Sequence, residues 1–128
     1  MKETKNKDQY PFIVHIWVGI FNSDEELVKY AHMLMKATDE YDIEWNYFKE
    51  EKALENLIFY LPIDVTEVMT AAGEKYPKLE KANSYLAVFG CEGKQAAFEK
   101  LTSNETVFYL GEFESPEPEL DAPYHPWV

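Results

Sequence analysis

Residues 12–19 read Phe-Ile-Val-His-Ile-Trp-Val-Gly, an unbroken apolar run of strand length, rich in β-branched and aromatic side chains. Such a run is too short for a helix of useful length and too apolar for an edge, so it predicts a central strand. Alternation puts Phe12, Val14, Ile16 and Val18 on one face and Ile13, His15 and Trp17 on the other. Gly19 ends the strand. Ser23-Asp24-Glu25-Glu26 follows, with a capping hydroxyl, a carboxylate three residues on, and three acids on the positive end of a helix dipole. The helix should run to about Ala37, with Leu27, Ala31, Leu34 and Met35 toward the core and Phe21 stapling its start.

The rest of the chain repeats this grammar less clearly. Ile43, Trp45 and Tyr47 alternate with Glu44, Asn46 and Phe48, as in a half-exposed strand within Asp39 to Glu51. Leu57 to Leu61 (LIFYL) reads as a strand stopped by Pro62, paired with the preceding one through Glu50 to Asn56. Asp64 with Glu67 caps a helix over Val65 to Lys75, which Pro77 closes. Tyr85 to Phe89 is a buried-type strand, Gln95 to Leu101 a short helix, and Thr106 to Leu110, continuing toward Phe113, the last strand. The order predicts a single α+β domain over 12–113: one mixed, mainly antiparallel sheet of four to five strands, with two to three helices packed on one face. A polar N-terminal arm (1–11) precedes it. An acidic, Pro-rich C-terminal tail (114–128) follows, and its aromatic end is expected to pack back on the domain.

Charge narrows the function classes. The chain carries −12, and all twelve of its bases are Lys. Arg supplies the planar fork that grips phosphates and reads guanine, so its absence together with the acidity argues against nucleic-acid binding. A field of this sign favours a basic protein partner. No apolar run is long enough to span a membrane and no secretory leader precedes the domain, so the expected location is cytoplasmic.

Nothing in the sequence assembles a catalytic or metal site. No Gly-rich phosphate loop occurs, and the lone Cys91 lacks a nucleophile elbow. His15, His32 and His125 are too far apart for metal-ligand spacing. His15, inside an apolar strand, is expected to be a hydrogen-bonded core or edge histidine. No cofactor and no enzymatic activity are therefore expected. Two segments stand out instead. Asp39 to Glu51 interleaves six acids and Lys49 with Tyr41, Trp45, Tyr47 and Phe48, and the tail from Glu112 adds five acids without a base. Together they hold −10 of the −12. Aromatic groups framed by acids suit recognition of a basic protein, which nominates Glu40, Asp42, Glu44, Trp45, Tyr47, Glu112, Glu114 and Trp127 as partner-binding residues.

The stretch His15-Ile16-Trp17-Val18-Gly19-Ile20-Phe21-Asn22-Ser23-Asp24-Glu25-Glu26-Leu27 resembles the opening of the immunity protein 22 family. The strands Tyr85 to Phe89 and Val107 to Phe113, with their "YLGEF" ending, are similar to the family's C-terminal half. Those are small bacterial α+β proteins that protect cells against polymorphic toxins. The resemblance implies a chain that binds a cognate toxin domain and occludes its active site or substrate groove, and the acidity of the chain suggests a basic toxin such as a nuclease. It brings no catalytic residues. Two other readings stay open at this stage: a small enzyme whose carboxylate/histidine site is not recognisable in sequence, and an interaction domain unrelated to toxins.

Overall fold

A computed structural model of the chain describes residues 13–38, 42–90, 93–101 and 106–115. The N-terminal arm, the tail beyond Ser115, Glu40, Cys91, His125 and Trp127 lie outside the described residues. The elements run β1 (Ile13–Gly19), α1 (Asp24–Thr38), β2 (Ile43–Ala53), α2 (Leu54–Ile58), α3 (Val65–Lys75), β3 (Lys81–Phe89), α4 (Gln95–Leu101) and β4 (Val107–Glu114). The four strands form one sheet in the order β2-β3-β1-β4, and all three pairings are antiparallel. The α+β class is as the sequence predicts, and the sheet has four of the four to five strands expected, with antiparallel pairing where the sequence predicts a mainly antiparallel sheet.

β1 and β3 hold the centre because their side chains are apolar at both parities, so neither face tolerates water. Val14, Ile16 and Val18 join Tyr85 and Ala87 in one buried cluster. Trp17, Leu86 and Val88 belong to the other. This two-sided demand distributes the helices more finely than the sequence reading, which placed them on one face. α2 and α3 share a face, contributing Leu54, Leu57, Ile58, Val68 and Ala72. α1 and α4 close the opposite one with Leu27, Ala31, Leu34 and Phe98.

Both helix starts are built as their sequences dictate. The Glu26 N–H donates to Ser23 Oγ at 3.3 Å, and the Glu26 carboxylate takes the Asn22 N–H at 3.2 Å. The Glu67 N–H donates to Asp64 Oδ1 at 3.2 Å. Phe21, 8% exposed, packs edge-on against Tyr30 and fixes the entry to α1. Met33, not Met35, completes the apolar side of α1.

The segment Leu57 to Leu61 is not a strand. Leu54, Leu57 and Ile58, at i, i+3 and i+4, are buried in a single helical turn, and the chain then bends away through residues 59–63. The run LIFYL is continuous in sequence, yet its period is helical, and Phe59 and Tyr60 fall outside the core. β2 therefore pairs with β3 and not with that segment.

Candidate partner-binding surface

β2 is an edge strand whose two faces have different duties. Ile43, Trp45 and Tyr47 oppose Val88, Leu86 and Ser84, and pack against the α1 cluster. The Tyr47 hydroxyl donates to the Asn22 carbonyl at 3.3 Å, tying β2 to the start of α1. Glu44 and Asn46 oppose Ala87 and Tyr85 on the other face. The alternation seen in the sequence is real, but it divides the nominated residues. Trp45 and Tyr47 are half-buried against α1, whereas Glu44 lies across the strand from them.

On the Glu44 face the strand meets the turn after α2. Tyr60 stacks at 6.1 Å on Phe48, Phe59 sits edge-on to Tyr60, and Lys52 Nζ lies 4.9 Å above the Phe48 ring. Phe59 and Tyr60 are 71% and 55% exposed, the two large apolar side chains that the described core leaves in water. Each ring forgoes part of the roughly 1.5–3 kcal/mol that full burial would give, which marks the pair as a candidate contact surface.

The electrostatics of the patch follow from its acids. Burial raises the Glu44 carboxyl above its ordinary range, the nearby Asp42 charge raises it further, and a hydrogen bond with Tyr85 partly offsets both. The Tyr85 phenol is also raised, by burial first and then by the Glu44 charge. Glu44 thus stands beside the buried Tyr85 and near the like charge of Asp42, a position that a cation from outside would stabilise.

The second acidic segment lies elsewhere. Glu112 and Glu114 are on β4, three strands away and hence roughly 14 Å across the sheet from β2. The two nominated surfaces therefore occupy opposite edges. The Glu112 carboxylate accepts the Gly93 N–H at 3.1 and 3.4 Å, and lies 3.7 Å from His15 Nε2. It fastens the start of α4 to the sheet. Glu114 is exposed at the end of the strand.

His15 is fully buried, as a core histidine should be. Its Nδ1 is 2.7 Å from the Tyr109 hydroxyl, and Phe98 meets the ring edge-on at 4.5 Å. Burial pushes the Tyr109 ionisation upward, and the Glu112 and Glu99 carboxylates add to the shift, so the residue stays a phenol. A phenol, an imidazole and a carboxylate in line could in principle relay a proton. Here Trp17, Phe98 and Tyr109 wall the histidine off. The hollows over α1, α3 and α4, about 340, 370 and 590 Å³, are lined by other residues. His32 lies on the exposed side of α1. Among the described residues no cluster of three or more His, Cys, Asp or Glu side chains could hold a metal, and no helix is long and apolar enough to cross a membrane.

Sequence reasoning missed Phe59 and Tyr60 as surface residues, because an apolar pair inside an apolar run looks like core. The helical spacing of Leu54, Leu57 and Ile58 was the available clue. No family model, curated protein or solved structure matches the chain.

Proposed function

We propose that this protein acts by binding another protein, and specifically as an immunity protein that neutralises a cognate bacterial toxin domain by covering its active site or substrate groove. The observation that carries the binding reading is the exposed pair Phe59 and Tyr60, with Tyr60 stacked on Phe48 and lying, like Glu44, close enough to Tyr85 to act on its ionisation. Aromatic side chains dominate the energetics of protein interfaces, and surrounding charge selects the partner. With a chain of −12 and no Arg, the complementary surface is basic. A nuclease toxin would present such a surface, and the carboxylates of this chain would stand where substrate phosphates lie. The toxin half of the proposal rests on the resemblance of His15 to Leu27 to the opening of the immunity protein 22 family.

Co-expression is the test. The gene is expressed beside each toxin-like gene of its own neighbourhood, and cell survival is scored. Rescue from one such toxin, with none from unrelated toxins, is the expected outcome. Full killing by every neighbouring toxin would remove the immunity reading.

A further inference from the structure

The two edges of the sheet are finished differently. On β4 the outward carbonyl of Tyr109 accepts Lys75 Nζ at 3.1 Å and the Tyr76 hydroxyl at 3.3 Å, and the Glu112 N–H donates to Gln95 Oε1 at 3.1 Å. Side chains from α3 and α4 thus occupy backbone groups that another strand would need. Among the described residues no side chain gives the outward backbone groups of β2 such cover. The Phe89 N–H donates to the Asp42 carbonyl at 3.0 Å, so Asp42, Glu44 and Asn46 use their backbone groups inward, toward β3. The N–H and C=O groups of Ile43, Trp45 and Tyr47 therefore point away from the sheet. Among the described residues no backbone hydrogen bond reaches them. The open stretch ends after Tyr47, where the register passes from Tyr47↔Ser84 to Lys52↔Ala82 and the ladder is interrupted over Phe48 to Glu51.

The geometry points to the first half of β2 as a strand-addition site, taking an extended segment of a partner protein that alternates basic and apolar residues. Pairing with Ile43, Trp45 and Tyr47 puts every second residue of the incoming strand beside the half-buried Trp45 and Tyr47 rings. The residues between lie on the opposite face, beside Asp42 and Glu44, and a Lys or Arg there meets a carboxylate under the like charge of Asp42. Charge also selects against a second copy as occupant, since that would join two chains of −12 and bring Asp42 and Glu44 toward like groups. The partner's main chain supplies affinity and the alternation supplies selection. This inference deepens the binding proposal but does not require the partner to be a toxin.

The test uses the full chain and a six-residue peptide of alternating Lys and Val, with an alternating Glu and Val peptide as control. Amide exchange is followed by NMR. The Lys–Val peptide is expected to slow exchange at Ile43, Trp45 and Tyr47, and the Glu–Val peptide to leave it unchanged. Trp45→Ala and Trp45→Pro both remove the ring, but only the proline removes an outward N–H, leaving the ladder to β3 intact. Trp45→Pro should bind the Lys–Val peptide about fivefold to tenfold more weakly than Trp45→Ala. The pair Ile43→Ala and Ile43→Pro repeats the comparison if the first proline variant fails to fold. Equal binding by a folded alanine and proline pair would overturn the proposal. So would exchange unchanged by millimolar peptide, or slowing at the same amides as the protein alone is concentrated. Toxin rescue that fails while the peptide binds as described would sink the immunity reading and leave this one standing.

Discussion

Asn83 offers a quantitative test of how the β1–α1 junction is held. It is 6% exposed on β3, and its side-chain amide reads both backbone groups of Phe21. The Phe21 N–H donates to Asn83 Oδ1 at 3.0 Å, and Asn83 Nδ2 donates to the Phe21 carbonyl at 2.8 Å. Ser84 Oγ donates to the same Oδ1 at 3.0 Å. Asn83→Ala removes all three bonds and leaves the buried Phe21 backbone pair without that partner. At about 1–3 kcal/mol for each of the two orphaned groups, the loss should be about 2–6 kcal/mol. For 128 residues the unfolding entropy is about 270 cal/mol/K, so a loss of 3 kcal/mol lowers Tm by about 11 °C. Urea titration and calorimetry read both quantities.

Asn83→Asp sharpens the argument with pH. The introduced carboxylate can still accept from Phe21 N–H and Ser84 Oγ, but it turns an acceptor toward the Phe21 carbonyl where Nδ2 had donated. Protonation restores a donor there, so the folded-state pKa of that carboxyl is raised above its unfolded value. A raised acid contributes fully below the unfolded pKa and loses that contribution as pH rises through the folded one. The stability gap to the parent protein should therefore narrow as pH falls toward about 4 and widen toward neutrality. A gap below about 1 kcal/mol for Asn83→Ala, or one independent of pH for Asn83→Asp, would refute the account of the junction.

Two other perturbations have definite signs. Trp17→Ala deletes a fully buried ring in edge and tilted contact with Phe98 and Tyr109 at 5.0 and 4.9 Å; it should cost about 3–5 kcal/mol by urea unfolding. Glu44→Gln keeps an acceptor for Tyr85 while removing a carboxylate whose pKa burial and Asp42 raise. It should stabilise the fold at neutral pH by less than about 1 kcal/mol, because the side chain is partly solvated, and the gain should vanish in acid, where the parent carboxyl is protonated.

Much of the fold was legible because its local chemistry and its tertiary role agree. β1 reads as a central strand and is one. The capping groups of Ser23 with Glu26 and of Asp64 with Glu67 mark the two longer helices where they begin. The segment Leu57 to Leu61 misled because a short apolar run fits a strand or a helical turn equally well, and only its packing partners decide. Residues such as Glu112 illustrate a second limit. Its sequence neighbourhood looks like a solvated acidic tail, yet the sheet order brings Gly93 and His15 to its carboxylate. The candidate surface was legible in part. Acids and aromatics were correctly located on β2, but strand parity turns Trp45 and Tyr47 toward α1, and the exposed rings come from a turn that the sequence concealed in a predicted strand.

The central claim is that the Phe59–Tyr60 face beside Glu44 engages a basic protein. It is tested most directly by titrating a purified neighbouring toxin domain onto the parent protein and onto the double variant Phe59→Ala, Tyr60→Ala by calorimetry. Both rings are exposed, so the variant should unfold within about 1 kcal/mol of the parent. The account predicts tight binding by the parent and a loss of about 2 kcal/mol or more, close to thirtyfold in Kd, for the variant. Undiminished binding by the folded double variant would contradict it.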